Sequence, residues 1–598
     1  MSTTATPKGA SSLRAGDRSA APSAPSGKIA AIAGWLDDRT GLAKPVRYGM
    51  KKVFPDHWSF MLGEVAMYSM AIALLTGVIL SLWFVPSAGH VAYDGPFVPM
   101  QGIHMSEAYK STLDISFEIK GGLLIRQLHH WSALFFVAAV GLHMMRVFFT
   151  GAFRKPREIN WVIGTVLLLL ACIEGFAGYS LPDDLLSGTG IRVMEGFVQS
   201  APIIGSYLAY FIFGGAFPGE YIIPRLYIAH VLLVPAMIIG LVTVHLILVM
   251  VHKHTQYPGP GRTNNNVVGF PVMPVYAAKA GGFFFIVFGI IALISGLVSI
   301  NAVWMYGPYD PSPVTADAQP DWYMLFADGA LRLLPGWLEF NTGPFVWSLN
   351  LALGSIILLP VIFGLVGAYP FLEAWVTGDK REHHLLQRPR NTPVRTGIGV
   401  ATLVLYLVLT LAATNDLMAI KLHLSINDIT NWLRVLFFVG PIVAFWVTKR
   451  ICLSLQRRDR DLVLHGRETG RIVRTAEGRF FEAHEPISDY KRWPLVSFEA
   501  ERPLELTGTT DSRGVRSPQA KSLKRRAKWS RFYFADRIEP VTPAELAAAH
   551  HDGHGHEALE AGAVERAHTP EFGGDLHGGA EEITSSHAYG HPGDKPQS

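Results

Sequence analysis

The chain has 598 residues, of which 49% are hydrophobic and 17% charged, and its formal net charge is only +4. This composition predicts an integral membrane protein with polar appendages, and so small a charge gives no indication of nucleic-acid binding. The two cysteines, Cys172 and Cys452, cannot hold an iron–sulfur cluster, and without a CxxCH motif no haem is attached covalently.

The N-terminal 56 residues contain no apolar core that would serve as a signal peptide. Residues 1–27 are rich in Ala, Ser, Thr, Pro and Gly, which predicts a flexible tail. Lys28–Asp56 alternates apolar and basic residues, and this pattern predicts an amphipathic helix on an anionic lipid surface, with a solvated linker as the alternative.

Eight apolar segments follow, each close to the roughly 20 residues that cross a bilayer. They are Phe60–Phe84, Leu123–Phe149, Trp161–Leu181, Arg225–Val251, Gly282–Ile300, Phe345–Val366, Gly397–Ala413 and Trp432–Thr448, of which the last two are short and interrupted by polar residues. Basic residues concentrate in the loops after the second, fourth and sixth segments, and acidic residues in the others. This distribution predicts cytoplasmic termini, and the ends of the bundle are accordingly called outer and inner.

The second segment carries three histidines, and an ionisable residue inside an apolar helix is costly unless it has a function. His129 and His143 are 14 residues apart, so they lie within about 40° of one helix face and roughly 21 Å apart along the axis. His130 directly follows His129, and the helix turns by about 100° per residue, so His130 lies nearly opposite the face of His143. This leaves His129 as the partner of His143.

The fourth segment repeats this arrangement with His230 and His245, whose spacing is one position longer. These two histidines lie within about 60° of one helix face. Parallel helices would pair His129 with His230 at the outer depth and His143 with His245 at the inner depth. Two facing imidazoles form a bis-histidine axial site for haem iron. The alternative is four core histidines that only bridge helices, but the matched depths disfavour it.

Arginines and glycines extend the pattern. Arg126 and Arg146 lie one turn beyond His129 and His143, where each could pair with haem propionates. Gly63 and Gly77, and likewise Gly164 and Gly178, are 14 residues apart, and glycine leaves room for a flat macrocycle. Ordinary helix packing through small residues is the alternative for each glycine pair.

Two of the predicted outer loops are long. Ser187–Gly215 predicts an outer helix with a turn. Asn301–Pro335 contains Pro320, Asp321, Trp322 and Tyr323, in which the proline is expected to start a helix. Taken alone, this tetrad is a routine helix N-terminus with Asp321 as its cap.

The chain becomes charged after Lys449 and Arg450, and Asp461–Glu485 could form a small hairpin. Lys521–Arg526 is interpreted as a solvated basic face, and the His-rich sequence from Pro543 as a disordered tail, with metal binding as the alternative. The predicted domains are therefore 1–56, 57–255 with the haems, 256–450 with the outer loop, a cytoplasmic extension 451–540 and the tail 541–598.

These motifs resemble cytochrome b of the cytochrome bc complexes. The resemblance covers roughly residues 50–450 and rests on the four glycines, Arg126, Arg146, the four histidines, Trp161, Gly178–Pro182, Arg225 and Pro320–Tyr323. The run Leu181–Gly190 and the long C-terminal extension are similar to the actinobacterial branch. The implied fold is an all-α integral membrane protein with eight transmembrane helices, a four-helix di-haem bundle and a mostly irregular cytoplasmic extension.

The resemblance implies a quinol–cytochrome c oxidoreductase subunit with two non-covalent b-type haems and menaquinol as substrate. It implies iron ligation by His129 and His230 in the outer haem and by His143 and His245 in the inner haem, with Arg225 among the cofactor-binding residues. Pro320, Trp322 and Tyr323 form the outer quinol pocket, where Asp321 replaces the usual Glu and accepts a proton. Electrons would pass through both haems to a quinone at the inner face, coupled to proton translocation.

The implied partners are a Rieske iron–sulfur subunit, a membrane-bound c-type cytochrome, a second copy of the complex, a haem–copper terminal oxidase and the lipid of a bacterial cell membrane. The inner quinone site stays open, because Lys279 is followed by Ala280 in place of the family's acid. Glu64, His252 and Lys253 are candidates there. A di-haem membrane anchor of a periplasmic dehydrogenase and a transporter with buried histidines are the alternative functions.

Overall fold

The structure is a computed structural model that describes residues 27–312, 318–343, 345–474, 478–496, 502–504 and 520–551. The predicted tails therefore lie largely outside the described residues. The chain forms two compact units, one of Met1–Asp459 with Trp493–Pro540 and the other of Arg460–Arg492 with Val541–Ser598. Segments 57–255 and 256–450 lie in the same unit, and the boundary between them stays a prediction.

Eight helices of the described part of the chain are long and apolar enough to cross a membrane. These spans are Trp58–Leu80, Gly122–Phe149, Glu158–Tyr179, Ile222–His252, Val272–Leu297, Leu349–Thr377, Pro393–Ala412 and Ile426–His465. The predicted fold class is confirmed, and the chain is a multi-pass membrane protein.

Several span boundaries differ from the prediction; the fifth span begins at Val272 instead of Gly282, and the sixth ends at Thr377 instead of Val366. Phe345–Ser348, predicted as the start of the sixth span, is a strand that pairs with Glu339–Thr342 across a turn containing Gly343 at φ 64°. The β-branched and aromatic residues of this stretch favour a strand, and the glycine supplies the turn. The eighth span continues past Thr448 through charged sequence to His465, so apolar content alone underestimated its length.

The spans pack so that the four segments carrying the predicted haem residues lie together. The first span packs along the second, the fourth along the third, and the fifth against the first two. Tyr68 and Ile72 of the first span share a buried cluster with Val287 and Ile291 of the fifth. The sixth span packs on the third, and the seventh on an outer-loop helix, Leu325–Leu333.

Shorter elements connect the spans. Two helices, Lys28–Thr40 and Ala43–Met50, occupy the region predicted as amphipathic, with Trp35 and Tyr48 exposed. Other helices in the described part of the first unit are Glu107–Phe117, Leu185–Gln199, Gly205–Phe213, Asn415–Leu422 and Ala520–Phe534. The helix pair within 185–213 confirms the expected helix with a turn, and its location on the outer side stays a prediction. Short strand pairs join Val53–Phe54 to Phe270–Pro271 and His90–Ala92 to His104–Ser106.

The extension has more regular structure than its composition predicts. The expected hairpin is present as Arg467–Arg474 paired with Phe480–Glu485. Helix Asp489–Val496 follows it, and Pro543–His551 is helical where the sequence predicts a disordered tail. The basic run 521–526 belongs to helix Ala520–Phe534, which packs on the sixth span, and Arg526 donates a hydrogen bond to the Trp375 carbonyl. That run is therefore not simply a solvated face.

Candidate haem and quinol sites

The structure brings the four histidines together in the two pairs that their spacing predicts. The ring centroids of His129 and His230 are 5.9 Å apart with an interplanar angle of 85°, and those of His143 and His245 are 6.4 Å apart at 67°. An imidazole nitrogen binds a metal at roughly 2 Å, and the ring adds roughly 1 Å on each side, so two axial imidazoles are separated by roughly 6 Å. Both pairs therefore fit around one iron each.

Hydrogen bonds orient the outer pair for coordination through Nε2. His129 Nδ1 lies 3.0 Å from the Ala73 carbonyl oxygen and 3.1 Å from Thr76 Oγ1. His230 Nδ1 lies 3.2 Å from the carbonyl oxygen of Glu174 and 3.0 Å from its Oε1. An Nδ1–H donated to oxygen fixes the tautomer and leaves Nε2 as the metal ligand.

The inner pair and both arginines hold buried polar atoms that make no hydrogen bond of ordinary geometry. These atoms are Nδ1 of His143 and of His245 and Nε of Arg126 and of Arg146. Buried donors are normally satisfied, so the unpaired Nε atoms of the two arginines indicate a missing acceptor. A haem with two propionates supplies anionic acceptors of the kind that arginine prefers, and the residues present fit the group.

Each of the four predicted glycines faces one of the histidines. A Cβ at Gly77 would lie 3.0 Å from His129 Cε1, and one at Gly63 would lie 3.1 Å from the same atom of His143. A Cβ at Gly178 would overlap the His230 ring, whereas one at Gly164 would lie 3.9 Å from His245 Cε1. The glycines thus admit the imidazoles themselves, a closer constraint than the predicted room for a macrocycle.

The three predicted arginines differ in their contacts. Arg126 Nη2 donates a hydrogen bond of 2.8 Å to the Asn301 carbonyl, and the Arg146 guanidinium lies 4.9 Å from the Phe60 ring centroid. Arg225 instead donates to the carbonyl oxygens of Phe211 and Ile212 at the end of an outer helix. Its role in haem binding stays a prediction, because in the structure it satisfies helix carbonyls.

The outer-loop tetrad forms a turn before a helix instead of the helix start that Pro320 predicts. The helix begins at Leu325, and the Met324 amide donates to the carbonyl of Asp321 at 2.8 Å. The helix N-terminus has no side-chain cap, so the expectation that Asp321 might act as one is wrong. Its carboxylate accepts a 3.1 Å hydrogen bond from the Tyr323 hydroxyl instead.

Tyr323 is buried against the bundle, and Asp321 beside it is half-buried. Tyr323 packs with Val137 of the second span and Cys172 of the third. Burial raises the pKa of the Asp321 carboxyl to about 6, although the hydrogen bond from Tyr323 acts in the opposite direction. Burial, and then the neighbouring Asp321, raises the pKa of the Tyr323 hydroxyl well above its ordinary value. Trp322 is exposed, with its ring centroid 5.8 Å from that of Tyr323.

Sequence reasoning missed one residue of this site. His130 Nε2 lies 4.0 Å from Asp321 Oδ2, at the outer end of the second span. The helical periodicity correctly places His130 away from the face of His143. It contains no signal for a contact between such distant parts of the sequence, which depends on how the outer loop packs.

Eight spans with histidine pairs at two depths define a membrane cytochrome of the b type. Residues 134–308 match the family described as Cytochrome b(N-terminal)/b6/petB. The chain belongs to the family of cytochrome b subunits of the cytochrome bc1 complex. It is 54% identical over 542 residues to that subunit of Streptomyces coelicolor, a match that covers 90% of this chain and 98% of the relative.

Other relatives agree with this assignment, and one solved structure shares the fold. The cytochrome b subunit of Corynebacterium diphtheriae is 51% identical over 77% of this chain and 85% of its own length, and that of Mycobacterium leprae is 48% identical over 79% and 85%. A chain of a hyperthermophilic respiratory Complex III superimposes with a TM-score of 0.51 at 21% identity, covering 70% of this chain and all of that one. This last likeness shows the fold alone.

Proposed function

We propose that this subunit oxidises a quinol at the outer end of the bundle and reduces a quinone at the inner end, as the catalytic subunit of a proton-translocating quinol–cytochrome c oxidoreductase. The observation that carries the proposal is the hydrogen-bonded Asp321–Tyr323 pair beside a bundle with two histidine pairs. The family assignment disfavours the two alternatives, a dehydrogenase anchor and a transporter.

The histidine pairs are proposed to hold two b-type haems without covalent attachment. His129 and His230 would ligate the outer iron, and His143 and His245 the inner iron. Arg126 and Arg146 would neutralise the propionates, and the four glycines would leave room for the imidazole rings. Each haem, when bound, supplies a one-electron carrier, and two at different depths let charge cross the low-dielectric membrane interior.

Asp321 is proposed as the base for quinol oxidation. Oxidation of a quinol releases two protons and two electrons, and a deprotonated hydroxyl gives up its electron more easily. The Asp321 carboxylate would accept one proton, while the Tyr323 hydroxyl holds it in place and Trp322 flanks the quinol ring. One electron would leave for a high-potential acceptor outside this chain, a Rieske iron–sulfur subunit, and the other would cross the bundle to the quinone at the inner end.

The assembly follows from the same proposal. The relatives are named as subunits of cytochrome bc1 complexes in actinobacteria. On that basis we propose a homodimeric complex with a Rieske subunit and a membrane-bound c-type cytochrome, associated with a haem–copper terminal oxidase. Menaquinol is the proposed substrate, and the chain would lie in the bacterial cell membrane with both termini in the cytoplasm.

Replacing Asp321 tests this function. Asp321→Asn keeps the size and polarity of the side chain but removes the base, and general-base assistance is typically worth roughly 10²–10⁴-fold. Quinol oxidation by the purified complex should therefore fall at least about tenfold with haem content unchanged. Asp310→Asn, an exposed acid of the same loop, is the matched control and should keep the wild-type rate. An unaltered rate in Asp321→Asn would refute the assignment.

A further inference from the structure

A carboxylate lies inside the first span at the inner end of the bundle. Glu64 Oε1 accepts a hydrogen bond from the Tyr276 hydroxyl of the fifth span, and its Oε2 lies 3.1 Å from the hydroxyl of Tyr68. That same hydroxyl lies 2.9 Å from the carbonyl oxygen of Ala280. An ionisable group at such a position is costly unless it has a function or a fixed partner.

The hydrogen bonds of this cluster can be satisfied in both protonation states of Glu64. When the carboxylate is charged, Tyr68 and Tyr276 each donate one hydrogen to it. When it is protonated, its own O–H can donate to the Tyr68 oxygen, and Tyr68 can turn its hydrogen to the Ala280 carbonyl. Each tyrosine hydroxyl can donate one hydrogen bond and can also accept one, so every polar group of the cluster keeps a partner in either state. A fixed ion pair would not allow this exchange.

The cluster lies between the inner histidine pair and the surface. Glu64 follows Gly63, whose added Cβ would lie 3.1 Å from the His143 ring. On the other side, the Tyr276 ring stacks on Phe54 with a centroid separation of 4.9 Å. Lys279 of the fifth span pairs with Asp56 at 2.6 Å, and both side chains are about half exposed, at 51% and 57%. Lys279 directly precedes Ala280, whose carbonyl oxygen contacts Tyr68 of the cluster, so an exposed ion pair lies one residue from the cluster.

We propose that Glu64 is the proton donor to the quinone reduced at the inner end, and this inference rests on the proposed function. Reduction of one quinone takes two electrons, delivered by two turnovers of the outer site, and two protons. For each proton, the Glu64 O–H bond breaks and an O–H bond forms on a quinone oxygen. The carboxylate left behind is stabilised by Tyr68 and Tyr276 and regains a proton from the cytoplasmic side past Lys279 and Asp56.

Glu64→Gln separates proton donation from a purely structural role, because glutamine keeps hydrogen bonds to both tyrosines. In the intact complex, we expect reoxidation of the inner haem by quinone to slow roughly 10²-fold, with an unchanged thermal unfolding midpoint. Glu158→Gln is the matched control, since Glu158 is a half-buried acid in the first turn of the third span at the same end. It should behave like the wild type.

Infrared difference spectra give a readout that does not depend on turnover. Quinone reduction should change a protonated carboxyl band in the wild type and in Glu158→Gln, and this change should be absent from Glu64→Gln. If Glu64→Gln does not assemble, Tyr276→Phe keeps the carboxyl and should shift that band and slow reoxidation severalfold. A wild-type rate or an unchanged band in these variants overturns the proposal.

The same complex also distinguishes failure of the donor assignment from failure of the proposed function. Reduction of the haems by quinol in a single turnover reports the outer site and should proceed at the wild-type rate in Glu64→Gln. If the wild type itself shows no reduction by quinol, the proposed function fails. If quinol reduces the haems normally but Glu64→Gln changes nothing at the inner end, only the role of Glu64 fails.

Discussion

Two glycines of the third span offer the sharpest test of the histidine sites. Gly164 and Gly178 are 14 residues apart in one helix, so alanine at either position brings the same gain in helix propensity, about 1 kcal/mol at most. The two sites differ in the room for a methyl group. At Gly178 the new Cβ would lie 2.9 Å from both ring nitrogens of His230, whereas at Gly164 it would make an ordinary 3.9 Å contact with His245.

The size of the effect follows from this difference. Overpacking of a tight site costs about 1–3 kcal/mol, and the His230 ring must move to relieve it. If this amount is lost from the free energy of haem binding, haem affinity at the outer site drops by about 5-fold to 150-fold. We therefore expect Gly178→Ala to lose haem from the outer site during purification or dilution, while Gly164→Ala keeps the wild-type content.

Pyridine haemochrome analysis of the purified complexes measures this directly. The expected haem content of Gly178→Ala approaches half that of Gly164→Ala and of the wild type. Equal haem content in both variants, or a larger loss in Gly164→Ala, would show that the imidazole contacts do not limit the site. The glycines would then serve only the macrocycle or helix packing.

Two further predictions concern ligation and topology. Alanine at His129 or His230 should remove the outer haem and leave the inner pair intact. Alanine at His143 or His245 should likewise remove only the inner haem. Full haem content in His143→Ala, measured by pyridine haemochrome, would contradict the pairing. A reporter fused after Ser598 should be active on the cytoplasmic side, because the basic loops follow even-numbered spans. Activity confined to the outside would contradict the predicted orientation or the number of crossings.

The sequence predicted the spans and the histidine pairs because both depend on short-range regularities. Hydropathy over about 20 residues identifies a span, and the 3.6-residue period places His129 and His143 on one face. The boundaries at Phe345 and Thr448 were less accurate, since a β-hairpin with apolar residues and a charged helical continuation both defeat a hydropathy criterion.

The contacts that give the sites their chemistry could not be predicted in this way. His130 reaches Asp321, and Glu64 reaches Tyr276, although the members of each pair are far apart in sequence. Such contacts depend on tertiary packing, which no periodicity along one helix encodes. The tetrad 320–323 shows the same limit. Pro320 predicts a helix start, but the Met324 amide closes a turn and the helix begins only at Leu325. The Asp321 carboxylate therefore does not cap the helix and accepts a hydrogen bond from Tyr323 instead.

The raised pKa of Asp321 leads to a prediction about pH. Below about pH 6 the Asp321 carboxyl is largely protonated and cannot accept a quinol proton. The rate of quinol oxidation should therefore rise as the pH increases through about 6 and then level off. Asp321→Asn should lose this rise as well as most of the rate, since an amide does not titrate. The neighbouring group that could produce a similar profile is His130. A rise that persists at the same pH in Asp321→Asn would assign the titration to His130 and refute Asp321 as the base.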